Sequence, residues 1–168
     1  MSDIETRVSW QQGMAFEVEL DGFKLTIDAD PQFGGEGRGP KPKGLTLASL
    51  AGCTAMDVQA ILGKMRVETT AFHVDAAAEL TEEHPKRFVS ATLRYYFEGE
   101  DLPLPKLRRA VMLSEERYCG VRATLAPSVD IRSEIYVNGE RMPGVNEEPA
   151  STTPTPTASS APSSAAPS

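Results

Sequence analysis

The sequence predicts an α+β domain: antiparallel strands, a long buried helix, two strands, a second helical region and a closing strand. Three observations predict it. A hairpin with a clear register spans Met14 to Ile27, a run without a single charge extends from Gly44 to Met56, and strand-type alternation returns twice after it.

In the hairpin, Asp21 and Gly22 form a two-residue turn of the kind that requires positive φ. Pairing Leu20 with Phe23, Val18 with Leu25 and Phe16 with Ile27 places six apolar side chains on one face. Glu17, Glu19, Lys24 and Thr26 take the other. Asp30 to Lys43 is a Gly/Pro-rich loop long enough to suggest a functional role, and it carries Arg38, Lys41 and Lys43.

Pro42 suits a first helical turn, where its missing N–H is not needed, and the helix is expected to run to Lys64 or Arg66. A helix apolar on every side is buried on every side. So small a protein cannot supply that cover from one chain, so the helix predicts a tight homodimer. Val67 to Leu80 and Arg87 to Phe97 read as strands joined through Glu82 to Lys86, the second with Val89, Ala91, Leu93, Tyr95 and Phe97 on one face. A second helix starts at Pro103 or Pro105, with Leu104, Leu107, Val111 and Tyr118 at helical spacing, and breaks at Gly120 before a short turn to Leu125. Ser128 to Val137 is the last strand, ended by an Asn138–Gly139 turn.

With 168 residues the chain supports one domain, placed at 1–142. Positions 143–168 form a tail; from Ser151 on it holds only Ser, Thr, Pro and Ala, a composition that cannot offset the entropy of ordering. The net charge of −7 argues against nucleic acid, whose phosphates repel an acidic surface. The acidic N-terminus has no signal-peptide character, and the uncharged run falls short of the ~20 residues of a membrane span. These features lead to the expectation of a cytoplasmic protein with no membrane partner, in which two cysteines would pair only as part of a redox cycle.

Cys53 lies within the uncharged helix, where a small buried hydrophobe is the plainer role for a cysteine. Cys119 sits where one helix ends and another turn begins, a position that favours a thiolate. On helix position alone it is the more acidic thiol. The dipole of its own helix does not help Cys53, which lies roughly 16 Å from the helix start at about 1.5 Å per residue. Candidate cations for stabilising thiolate or substrate are Arg38, Lys41 and Lys43 from the loop and Arg117 near the second cysteine; each is equally consistent with a solvated surface. Asp57, one turn beyond Cys53, would raise a neighbouring thiol's pKa or simply mark the end of the apolar surroundings. His73 and His84 are too few for a metal centre, and GGEGRG lacks the Lys and Ser/Thr of a phosphate loop.

The segments GPKPKGLTLASLAGCTAMDV (Gly39 to Val58) and SEERYCGVRATL (Ser114 to Leu125) resemble the OsmC/Ohr family, named for osmotic induction and organic hydroperoxide resistance, and most resemble its OsmC-like subgroup. The resemblance implies an OsmC-like fold, with an antiparallel sheet and a long buried central helix in an intertwined homodimer. It also implies a two-cysteine peroxidase that reduces organic hydroperoxides, with hydrogen peroxide as a further candidate substrate, in oxidative-stress defence. Cys53 attacks first, Cys119 closes the disulfide, no cofactor is needed, and an external reductant, a thiol protein or a lipoyl-type dithiol, restores the pair. Where the family carries a Glu after the helix-starting Pro, this chain has Lys43 and Gly44. Where the family carries an Arg in the first strands, it has Phe16 or Glu17. Lys43 and Arg38 are the local substitutes. The alternative is a noncatalytic dimer that binds a small hydrophobic ligand or senses redox state through the same cysteines.

Overall fold

The computed structural model describes residues 3–143; the tail expected over 143–168 lies, but for Pro143, outside the described residues. Three antiparallel strands, β1 (Thr6–Gln12), β2 (Ala15–Leu20) and β3 (Phe23–Ile27), form the first sheet. The hairpin register is the expected one: Leu20 pairs with Phe23, Val18 with Leu25 and Phe16 with Ile27. Asp21 and Gly22 hold the positive φ of its turn. β1 extends the same apolar face, with Val8 opposite Val18 and Trp10 opposite Phe16. Within one chain that face is largely uncovered: Trp10 is 67% exposed and Phe23 79%.

The loop after β3 is tied down by Asp28. Its buried carboxylate accepts the backbone N–H groups of Ala29, Glu36 and Arg38, which hold its pKa below the usual range. Gly39 is required by packing, since a Cβ there would meet the Thr26 carbonyl oxygen at 2.0 Å.

Helix α1 (Pro42–Lys64) begins with its proline in the first turn. It ends in a Schellman arrangement: the Val67 N–H reaches the Leu62 carbonyl, the Arg66 N–H reaches the Gly63 carbonyl, and Arg66 takes the left-handed φ of 55° usually left to glycine. Its length and hydropathy alone would suffice to cross a membrane. Here Leu50, Val58 and Leu62 lie in the protein core instead. The expectation of burial on every side is not met within one chain: one face is sealed, while Met56 is 76% exposed.

β4 (Ala71–Leu80), β5 (Phe88–Glu98), β6 (Asp130–Val137) and β7 (Glu140–Met142) form a second sheet in that order. One pair departs from the expected antiparallel pairing. β5 and β6 run parallel, because α2 (Leu104–Leu113) and α3 (Gly120–Leu125) form the long crossover that parallel neighbours require. On the inner face Ala91, Leu93, Tyr95, Phe97 and Ile135 pack against Leu50, Val58 and Leu62 of α1 and Leu107 and Val111 of α2. Val89, expected on that face, is exposed at its end.

Candidate active site

Between α2 and α3 the backbone widens into one π-helical turn, Ser114–Tyr118, marked by the Cys119 N–H donating to the Ser114 carbonyl at 2.8 Å. The extra residue per turn shifts the helical phase. Ser114 is therefore fully buried while Tyr118, expected on the apolar stripe, is exposed. Cys119 follows as the N-cap of α3 and its sulfur accepts the Arg122 N–H at 3.4 Å.

This places Cys119 against α1. The sulfurs of Cys53 and Cys119 and a carboxylate oxygen of Asp57 lie within 4.8 Å of one another, although they come from two separate elements. Both cysteines are free thiols; Cys53 is half-buried and Cys119 is 2% exposed. Cys53 and Asp57 are four positions apart on α1, so they share one face of the helix.

Cys119 is not the acidic thiol that its helix end suggests. Burial pushes its pKa up to about 11. The Arg122 N–H works in the other direction, while Cys53 and the negative charge of Asp57 add to the rise. Desolvation of a thiolate in the core therefore outweighs the end of a six-residue helix. The rise due to Asp57 has the sign its position suggests.

Behind the thiols runs a chain of buried hydroxyls. Ser114 Oγ donates to Asp57 Oδ2 at 3.0 Å, Thr54 Oγ1 lies 2.9 Å from Ser114 Oγ, and Tyr95 Oη lies 2.8 Å from Thr54 Oγ1. Each hydroxyl has one proton, so the donation to Asp57 sets the direction: Tyr95 donates to Thr54, Thr54 to Ser114, Ser114 to the carboxylate. Burial raises the Tyr95 pKa, which keeps that phenol protonated as the first donor. Ser133, beside Tyr95, donates its proton to Glu115. Glu115 in turn faces the Arg122 guanidinium at 3.7 Å, and both side chains are mostly buried.

The cations expected from the sequence lie elsewhere within the chain. Arg38 bonds Glu36 in the loop, and Lys41 pairs with Asp30. Lys43 is exposed in the first turn of α1, about 15 Å along the helix from Cys53 at 1.5 Å per residue. Arg117 is exposed on the π turn. The inward arginine is Arg122, three residues past the cap Cys119; a helix expected to break at Cys119–Gly120 was the available signal for it. Thr54, Ser114 and Tyr95 gave no signal, being ordinary core-compatible residues. Among the described residues, two sulfurs and one carboxylate are one donor short of a closed zinc site, and no metal is assigned to them. His73 stacks on Tyr96 at 4.6 Å, outside the site.

A fold with one long helix on a mixed sheet, carrying two thiols that meet from α1 and the start of α3, defines a class. The chain belongs to the OsmC-like family, whose family model matches residues 35–134. Among curated proteins it is similar to Protein YhfA of Escherichia coli strain K12, at 34% identity over 129 residues, covering 76% of this chain and 93% of that one. Among solved structures it is similar to a hypothetical protein of Aquifex aeolicus, with TM-score 0.71 and 26% identity over 82% of this chain and 99% of the other. It also shares its fold with an organic hydroperoxide resistance protein OsmC of Legionella pneumophila, with TM-score 0.63 and 18% identity over 82% and 98% of the two chains.

Proposed function

We propose that this protein is a two-cysteine peroxidase that reduces organic hydroperoxides, with Cys53 as the attacking thiol and Cys119 as the resolving one. The observation that carries the reading is the meeting of two free thiols from distant parts of the chain within 4.8 Å, at the end of a buried polar network. Membership of the OsmC-like family, and the fold shared with a hydroperoxide resistance protein, support a role in peroxide defence.

The order of attack follows from exposure and acidity. A peroxide reaches a half-buried thiol more readily than one 2% exposed, and a thiol with a pKa near 11 is a poor first nucleophile at neutral pH. The Cys53 sulfur takes the distal peroxide oxygen, the O–O bond breaks, and the alcohol leaves. Cys119 then attacks the resulting sulfenic sulfur, and water leaves as the disulfide forms. An external dithiol, a thiol protein or a lipoyl-type compound, returns both thiols by exchange. A reducing cytoplasm is the setting such a cycle requires.

The working unit in this reading is a homodimer. The apolar face of β1–β3 and the uncovered side of α1 both call for cover, and a second copy supplies it symmetrically.

The test is peroxide consumption in the presence of a dithiol, comparing the full chain with Cys53→Ser and Cys119→Ser. Wild type is expected to consume tert-butyl hydroperoxide, Cys53→Ser to lose consumption, and Cys119→Ser to accumulate a trappable sulfenic acid at Cys53. A wild-type protein that consumes no peroxide and keeps both thiols refutes the reading. One observation favours a second reading, the binding of a small hydrophobic ligand: a cavity of ~570 Å³ lies between the first sheet and the start of α1, walled by Met14, Phe16, Ile27, Phe33 and Leu80.

A further inference from the structure

The peroxidase reading requires two protons to be moved. In the first step the S–O bond forms as the O–O bond breaks, and the proton given up by the Cys53 thiol must reach the departing alkoxide oxygen. In the second the S–S bond forms as the S–OH bond breaks, and the Cys119 proton must reach the departing hydroxide. An unprotonated alkoxide or hydroxide is a poor leaving group, so a positioned acid–base group accelerates both steps.

We propose that Asp57 is the proton-transfer residue of both half-reactions, taking the thiol proton and handing it to the leaving oxygen. The inference rests on the peroxidase reading. Three observations carry it. One Asp57 oxygen lies within 4.8 Å of both sulfurs, so a single group serves both steps. The carboxylate is held in place by the Ser114 hydroxyl, which is itself held by Thr54 and Tyr95. Accepting one hydrogen bond leaves a carboxylate with lone pairs to spare. Asp57 also lines a cavity of ~280 Å³ with Ile61, Lys64, Met65 and Tyr118, so the carboxylate can exchange protons with solvent without passing the core.

The charged and titratable groups around Asp57 are the two thiols, Lys64 and Tyr118 at the cavity, and Glu115 with Arg122 behind the hydroxyl chain through Tyr95. Lys64 is the cation on the open side. No guanidinium stands in the hydrogen-bond chain between Asp57 and Thr54.

A negative charge beside a thiol disfavours the thiolate. As a mere neighbour, Asp57 therefore slows every reaction of the thiolate; only by moving the proton does it speed one. The two roles give opposite signs, and the experiment uses both. The full-length reduced Asp57→Asn protein is compared with wild type at pH 7 in two reactions of Cys53. One is alkylation by iodoacetamide, whose iodide leaves without a proton; the other is oxidation by tert-butyl hydroperoxide, whose alkoxide does not. Asp57→Asn is expected to alkylate faster, by a few-fold, and to oxidise slower by about 10²-fold, the lower end of what a general acid–base group contributes. Its oxidation rate should also rise more steeply with pH than that of wild type. Because an amide alters the Ser114 contact, Asp57→Glu and Asp57→Gln form a second pair; the Glu variant should oxidise at least ten-fold faster than the Gln variant. Rates that move in the same direction in both reactions, or Glu and Gln variants that oxidise alike, overturn the proposal. A wild type inert to peroxide overturns the peroxidase reading, and the proposal with it. An active wild type matched by Asp57→Asn overturns the proposal alone.

Discussion

Replacing Thr54 by Val removes the middle hydroxyl of the buried chain while keeping side-chain shape. Thr54 is fully buried, at 2.8 Å from Tyr95 Oη and 2.9 Å from Ser114 Oγ. Two hydrogen bonds are lost, each contributing about 1 kcal/mol net. Their former partners are not orphaned, since Ser114 still donates to Asp57 and the freed Tyr95 proton turns to the neighbouring Ser133 oxygen. The cost should therefore be about 2 kcal/mol, short of the larger penalty for leaving buried groups without any partner. Thr54→Ser is the control: it keeps the hydroxyl and loses one methyl, for about 1 kcal/mol. With a urea slope of roughly 2 kcal/mol per molar, the Val variant's midpoint should fall by about 1 M and the Ser variant's by about half that. Urea unfolding at equal protein concentration measures both, because an associating chain's stability depends on concentration. A Val variant no less stable than the Ser variant refutes the claim that these hydroxyls form a connected, energetically significant chain.

Two further outcomes are expected. The Cys119 thiol has its pKa raised from 9.0 in the open chain to about 11 in the fold, so the unfolded chain binds fewer protons between those values. Stability is then whole below pH 9 and falls as pH rises from about 9 toward about 11, by up to about 1.4 kcal/mol per pH unit. Cys119→Ala should flatten that slope in urea midpoints measured from pH 8 to 10.5, and an unchanged slope contradicts the burial effect. Phe23→Asp places a charge on the open apolar face of the first sheet. It should shift sedimentation from a two-chain toward a one-chain species; a wild-type protein that sediments as one chain removes the dimer from the account.

What the sequence revealed depended on how local the determining forces are. The hairpin register was legible because Asp21 and Gly22 determine the turn and the alternation determines the faces, both within a few residues. Strand β1 was not, because Val8 and Trp10 alternate with polar residues for only seven positions and gain their meaning from pairing with β2. The parallel pairing of β5 and β6 depends on where a crossover returns the chain, and no window of residues contains that. At the site, both cysteines were legible, as was the break between helices at Cys119. Arg117 and Arg122 were not distinguishable, because a single π turn sets which of them faces inward. The acidity of Cys119 was read with the wrong sign for a related reason: the helix end is visible locally, and the desolvation that outweighs it comes from α1 and the sheet. Asp57 was noticed for its distance from Cys53 along the helix, but its contact with Ser114 joins residues from α1 and the π turn.

The central claim is that Cys53 and Cys119 of one chain form a redox pair, and mass spectrometry of the reduced full-length protein after one equivalent of tert-butyl hydroperoxide tests it most directly. Each chain is expected to lose about two mass units, both thiols to resist alkylation, and a proteolytic digest to yield one linked peptide joining the Cys53 and Cys119 segments, reversible by a dithiol. Two thiols that remain alkylatable, or a disulfide joining Cys53 to Cys53 between chains, contradicts it.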